Sequence, residues 1–211
     1  MEIRQKEAQL QILYQQINPH LLYNTLESIY WKSSLEGNLE SAEMIKELSK
    51  LMKISLSRGR ELITLGEELE HAKAYIKLQQ IRYEYSFNVI WEVPDEVQSQ
   101  LIPKVTLQPL IENAIIHGVK NMEEDGVIRI KAWRENHKTF ICIEDNGYKQ
   151  VDYELIHSLL HEENYNPSTG YGIRNIQQRI RLHFGPLYGL YYTQREGGGT
   201  SVTMTLPAGE I

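Results

Sequence analysis

The sequence predicts an α+β protein in two parts: an N-terminal antiparallel helical hairpin that dimerises as a four-helix bundle, then an α/β sandwich with its helices on one face. Three observations carry this. Up to about Leu56 the apolar residues recur at three-and-four spacing, in two stripes separated by a glycine-containing break. Beyond Ser86 they gather instead into short β-like runs. Those runs interleave with helical stretches without the regular β-α-β alternation of a parallel sheet.

The first stripe passes through Leu10, Leu13, Ile17, Leu21, Leu22, Leu26 and Ile29 on one face of a long helix. Glu36-Gly37-Asn38 breaks it, and a second stripe follows through Leu39, Ala42, Ile45, Leu48, Met52 and Leu56. A short turn makes the two helices antiparallel neighbours; such a pair cannot enclose a core alone, which is why a homodimer is expected. Arg58-Gly59-Arg60 interrupts the pattern and marks the boundary, with residues 1–60 as hairpin and 61–211 as second domain. Thr64-Leu65-Gly66-Glu67 reads as a capping box, in which the threonine oxygen and the glutamate each satisfy an orphan N–H. It opens a third helix that turns Leu69, Ala72, Ile76 and Tyr83 inward and ends before Ser86. Beyond it, β-like runs are expected at Asn88–Val93, Val127–Trp133, Phe140–Ile143, Leu190–Thr193 and Ser201–Leu206. Helices are expected at Pro103–Val119, Asp152–His161 and Tyr171–Phe184.

At 211 residues, 41% hydrophobic and 24% charged, the chain has an ordinary globular composition and room for two cores. A formal net charge of -6 argues against a surface built to neutralise a phosphate backbone, so no nucleic acid is expected as a direct partner. Cys142 is the single cysteine, which removes intrachain disulfides and multi-cysteine metal sites and fits a reducing, cytoplasmic setting. There is no apolar run of about 18 residues, the length a bilayer-spanning helix needs. The uncapped, glutamine-rich start reads as a segment of a longer chain.

Five segments carry candidate chemistry. Pro19 inside a helical stripe removes a backbone hydrogen bond, and a bend there would expose His20, whose neutral imidazole is a nucleophile near pH 7. Asn24 lies one turn on, where its amide can orient a water or a phosphoryl oxygen. The plain alternative is a helix start beside an ordinary histidine. In LQPLIENAIIHGV, Glu112, Asn113 and His117 share a polar edge above buried Leu110, Ile111, Ala114 and Ile115. Asn113 offers Mg²⁺ an amide oxygen, Glu112 can polarise a nucleophile and His117 can bind phosphate; an amphipathic helix with a polar rim explains the segment equally well. Asp145-Asn146-Gly147 follows an apolar run, as an adenine-binding carboxylate beside a close-packing glycine or as a common turn. Gly170 and Gly172 lead into a helix whose free N–H groups suit phosphates. Gly197-Gly198-Gly199-Thr200 is most simply a hairpin turn, with Thr200 near the nucleotide.

The order of these segments, with the NPHLLYN string at Asn18 to Asn24, resembles the sensor histidine kinases of the LytS/YesM type over nearly the whole chain. The resemblance implies a dimerisation and phosphoacceptor hairpin, then a Bergerat-fold ATP-binding domain of the kind shared with DNA gyrase. It implies ATP and Mg²⁺ as cofactors and autophosphorylation on His20. The phosphoryl group would pass to a response regulator receiver domain, in a two-component system. By position it makes His20 the phosphoacceptor, Asn113 the Mg²⁺ ligand, Glu112 a catalytic carboxylate and Asp145 the adenine contact. Gly147, Gly170 and Gly172 fall in glycine boxes bordering a lid at about Tyr148 to Thr169. Two departures stand out: Lys149 occupies the second glycine of the usual Asp-x-Gly-x-Gly, and Leu21 rather than an acid follows His20, which moves attention to Glu112. The family also implies a membrane-anchored sensor region ahead of Met1. Two rivals remain: a non-catalytic dimeric signalling scaffold with a degenerate nucleotide site, and a Bergerat-fold ATPase in which Glu112 activates water.

Overall fold

The computed structural model describes residues 19–56, 60–83, 87–148, 151–161 and 171–209. The chain divides into two compact units, Met1–Arg58 and Gly59–Ile211.

In the first unit, α1 (Pro19–Leu35) and α2 (Leu39–Ser55) form the predicted hairpin. Gly37 turns the chain at φ +76, a conformation that a side chain disfavours. Asn38 then caps α2, its side-chain oxygen accepting the Ser41 N–H at 3.2 Å. Away from the turn, the Tyr23 hydroxyl donates to the Met52 carbonyl at 3.0 Å and ties the two helices together. Leu26 and Ala42 are buried, but Leu21 is 64% exposed, and Ile29, Leu39 and Leu48 are also open. Two helices have only one shared face, so the rest of each stripe stays uncovered within one chain. Leu10, Leu13, Ile17 and the bend expected at Pro19 lie outside the described residues.

The second unit opens with two features in one short segment. Strand β1 (Leu62–Thr64) runs directly into α3 (Leu65–Tyr83), and the capping box forms as expected. Glu67 accepts the Thr64 N–H at 3.0 Å, and Thr64 Oγ1 accepts the Glu67 N–H at 3.2 Å. Leu69, Ala72 and Ile76 are buried on α3; Tyr83, at its end, is 44% exposed, a correction to the predicted inward face. β1 pairs antiparallel with β3 (Leu101–Pro103). Three-residue strands alternate too briefly to announce themselves, so this pair was invisible to periodicity, and Pro103 belongs to it rather than to the next helix.

The main sheet has the order β2-β4-β5-β7-β6. β2 (Asn88–Glu92) lies parallel to β4 (Val127–Glu135), while β5 (Lys138–Asp145), β7 (Thr200–Pro207) and β6 (Gly189–Gln194) join antiparallel. Alternation sorts its faces. Ile128, Ile130, Ala132, Ile141, Ile143, Val202, Met204 and Leu206 are buried on the inner side, each large one worth about 1.5–3 kcal/mol. The other side carries the Arg129–Glu92 and Lys131–Glu144 ion pairs and a stacked Trp133–Phe140 pair. α4 (Leu107–Asn113), α5 (Tyr153–His161) and α6 (Tyr171–Phe184) complete the α/β sandwich. α4 continues into a π-helical turn, Ala114–Val119, where the Lys120 N–H donates to the Ile115 carbonyl at 2.9 Å.

Candidate functional site

The inner row of β5 runs Ile141, Ile143, Asp145, so the alternation that buries two isoleucines delivers a carboxylate at the strand's end. Asp145 is only 6% exposed. Its Oδ1 accepts the Gly147 N–H at 2.9 Å, and the Thr200 N–H also bonds to the carboxyl. Burial pushes the carboxyl above its ordinary range, against those two N–H bonds and the positive charge of Arg195. Glycines allow the crowding around it. A Cβ on Gly118 would stand 2.6 Å from Asp145 Cγ, and one on Gly147 would stand 2.6 Å from Gly118 Cα. Asn146 holds the strand ends, its Oδ1 accepting the Val127 N–H at 2.7 Å and its Nδ2 donating to the Asp125 carbonyl at 2.8 Å.

Asp145 opens into a cavity of about 510 Å³. α4 and its π-helical turn contribute Glu112, Asn113 and His117 to the lining, β7 contributes Thr200, and the first turn of α6 contributes Gly172. The apolar wall includes Ile143, Ile156 and Val202. This combination of apolar walls and a few convergent polar groups suits a ligand that carries both a flat heteroaromatic ring and charged oxygens. Among the described residues no three His, Cys, Asp or Glu side chains group as metal ligands. A Mg²⁺ ion bound through one protein amide and substrate phosphates needs no such group, and the oxygen of Asn113 has the right hardness.

The predicted residues Glu112, Asn113, His117, Asp145, Gly172 and Thr200 thus share one cavity, with Gly147 packed behind the carboxylate. Gly170, Lys149 and the lid residues 162–170 lie outside the described residues. The described part of the lid region is α5, capped where the Asp152 side chain accepts the Leu155 N–H at 2.9 Å. The roles of three contributors escaped sequence reasoning, one of them, Gly199, having been read only as part of a hairpin turn. Gly118 directly follows His117, but nothing local reveals what its missing side chain would strike. Gly199, at φ +93, faces the Asp145 carbonyl so closely that no side chain fits. Tyr192 shares the inner face of β6 with Leu190, and its hydroxyl is buried in the cavity wall beside Asn113, without a hydrogen bond of ordinary geometry. Burial raises that phenol well above its usual range.

In the hairpin unit, His20 is exposed on the first turn of α1, and Asn24 Nδ2 stands 3.3 Å from His20 Nδ1. The spacing is that of one helical turn.

Comparison with known proteins follows this division. A histidine kinase family model matches residues 8–87, and the model described as histidine kinase-, DNA gyrase B-, and HSP90-like ATPase matches residues 102–210. The chain is 36% identical over 202 residues to sensor histidine kinase YesM of Bacillus subtilis (strain 168), covering 96% of this chain and 34% of the relative. It is 32% identical over 204 residues to sensor histidine kinase BtsS of Escherichia coli (strain K12), covering 95% and 34%. The chain therefore spans about a third of the length of these relatives. The solved catalytic domain of histidine kinase ThkA has a similar fold, with a TM-score of 0.52 at 16% identity over 69% of this chain and 95% of that one.

Proposed function

The chain belongs to the histidine kinase family, in the LytS/YesM type with an ATPase part of the histidine kinase-, DNA gyrase B-, and HSP90-like kind, and on that premise we propose that it phosphorylates its own His20 from ATP and passes the group to an aspartate of a response regulator receiver domain. One observation carries the reading: Glu112, Asn113, His117, Asp145, Gly172 and Thr200, scattered along the chain, line a single cavity. Asp145 accepts from the exocyclic amine of adenine, and Gly118 and Gly147, packed against it, hold the carboxylate in place. Asn113, His117 and the first turn of α6 serve the phosphate end. Mg²⁺, held by Asn113 and phosphate oxygens, supplies charge neutralisation at the transferred group. Glu112 supplies a carboxylate for polarising the nucleophile.

His20 is that nucleophile. Its ring nitrogen forms the bond to the γ-phosphorus while the bond from phosphorus to the β–γ bridging oxygen breaks, and ADP leaves with the electron pair. As it stands, the Asn24 Nδ2 faces His20 Nδ1, an arrangement that leaves the ring proton on Nε2. A flip of the amide puts its oxygen on Nδ1–H, selects the tautomer whose lone pair is on Nε2, and stabilises the positive charge that grows on the ring as Nε2 reacts. Asn24 thereby does part of what an acid next to the histidine would do, where this chain has Leu21.

The domain roles follow from the reading: residues 1–60 as dimerising phosphoacceptor hairpin, residues 61–211 as catalytic domain. The uncovered Leu21, Ile29, Leu39 and Leu48 support a homodimer through the hairpin. No described helix is long and apolar enough to cross a membrane. By its likeness to sensor kinases, we place the chain in the cytoplasmic part of such a sensor. The test is incubation with γ-labelled ATP. An acid-labile, base-stable label absent from His20→Gln supports the kinase. Label that persists in His20→Gln refutes it, and phosphate release without any label assigns the chain to ATP hydrolysis instead.

A further inference from the structure

Glu68 lies on the first turn of α3, fully buried, and its carboxylate meets the start of α4. Oε1 accepts the N–H of Thr106 at 2.6 Å and of Leu107 at 2.8 Å, and Oε2 accepts that of Val105 at 2.9 Å. These are the orphan donors of a helix N-terminus. Thr106, in the N-cap position, makes no side-chain cap of its own; its hydroxyl donates backwards to the Pro103 carbonyl. The neighbouring groups are engaged too: the Lys104 N–H donates to the Glu61 carbonyl at 3.0 Å, and Arg179 of α6 donates to the Lys104 carbonyl. Burial pushes the Glu68 carboxyl above its ordinary range, while the three N–H donors and the Arg179 charge favour the ionised form.

At the centre of this turn Val105 has φ +56. A β-branched residue enters the left-handed region only where its surroundings over-determine it, and such strain gathers at functional sites. Glu112 and Asn113 follow Leu107 by five and six residues, about 9 Å along the helix axis. A change of tilt at Val105 therefore reaches them with little to absorb it.

We propose that Glu68 is a positioning residue for the cavity: by capping α4 and holding the Val105 turn, it sets where Glu112 and Asn113 stand. The role of that cavity as a nucleotide site rests on the function proposed above. Glu68→Gln places an amide NH₂ among three N–H donors, and Val105→Gly lets the turn adopt its conformation without strain. These two variants, and the two combined, are titrated by calorimetry with Mg²⁺ and a non-hydrolysable ATP analogue. Glu68→Gln is expected to bind about tenfold more weakly, the scale of one lost charged hydrogen bond. Val105→Gly alone stays near wild type, and in the double variant most of the loss is recovered. Recovery separates a held turn from a general loss of stability, which a second destabilising change would only deepen. Wild-type affinity in Glu68→Gln, or a double variant no better than the single, overturns the proposal.

Amide hydrogen exchange across residues 105–113 decides the matter independently of binding. The N–H groups of Val105, Thr106 and Leu107 are expected to exchange about tenfold faster in Glu68→Gln, and unchanged exchange there overturns the proposal. If the unmodified chain itself does not bind the analogue, the nucleotide reading fails while the exchange result still judges Glu68. Should Glu68→Gln not accumulate as folded protein, Glu68→Asp, one methylene too short to reach all three donors, is read by the same criteria.

Discussion

Gly118 packs against Asp145, beside the cavity, with no room for one additional carbon. A Cβ on Gly118 would lie 2.6 Å from Asp145 Cγ and Oδ1, and Asp145 cannot retreat because its strand is paired on both sides. Gly118→Ala must therefore push the carboxylate out of line with the cavity. Calorimetry with Mg²⁺ and an ATP analogue should show binding weakened roughly tenfold to a hundredfold, the range that overpacking strain produces. Gly172→Ala makes the contrast in stability: its Cβ meets nothing within 4 Å, so the thermal transition should hold while that of Gly118→Ala falls. The residue types in the cavity were readable from the chain as Glu-Asn, Asp-Asn-Gly and Gly-x-Gly. Gly118, Gly199 and Tyr192 were not, because a glycine's necessity lies in what its absent side chain would strike and a tyrosine's in which wall it completes.

For α3, the capping box was read directly from Thr64-Leu65-Gly66-Glu67, since its partners are three residues apart and its geometry is local. Thr64→Ala removes the oxygen that accepts the Glu67 N–H and should cost about 1 kcal/mol, lowering the transition of this unit by about 3 °C in a thermal melt. Nucleotide affinity should be unaffected, since the cap does not touch α4. α4 behaves in the opposite way. Its own Thr106 does not cap it; the cap arrives from Glu68, thirty-eight positions earlier in the chain. No spacing rule reaches that far, which is why the helix was expected to start at Pro103 and begins at Leu107. Its π-helical end was equally hidden, because Ala-Ile-Ile-His-Gly-Val suits either helical form and the packing of Ile115 and Val119 decides between them.

Over the second unit as a whole, acid stability is set by buried ionisable groups of opposite sense. His71 on α3 has no exposed surface, and burial lowers its imidazole from 6.5 to about 4. Between those values the unfolded chain binds a proton that the folded chain refuses, so stability falls as pH drops from 6.5 towards 4, by up to about 3 kcal/mol, and levels off below. Asp145 and Glu68 act in the reverse direction: their folded carboxyls are raised, so they take up protons before the unfolded ones do and give back stability on acidification. Urea titrations from pH 7 to pH 4 should therefore show a shallower acid-side loss in His71→Gln than in the unmodified chain. An equal slope in both would mean that His71 is not buried in its neutral form.

Taken by itself, the sequence determined the two periods, the break at Gly37, the start of α3, all five strands of the main sheet to within a few residues, and the order of chemical motifs that marks the family. Each of these is written in contacts between near neighbours, where backbone geometry makes spacing and structure the same statement. The tertiary structure alone decided which face each motif presents, that Asp145 ends an inner row, that Gly118 and Gly199 are obligatory around it, and that Glu68 caps the helix of the Glu-Asn pair. Those outcomes depend on which distant segments pack together, and the free energy of that packing belongs to the assembled core rather than to any stretch of chain.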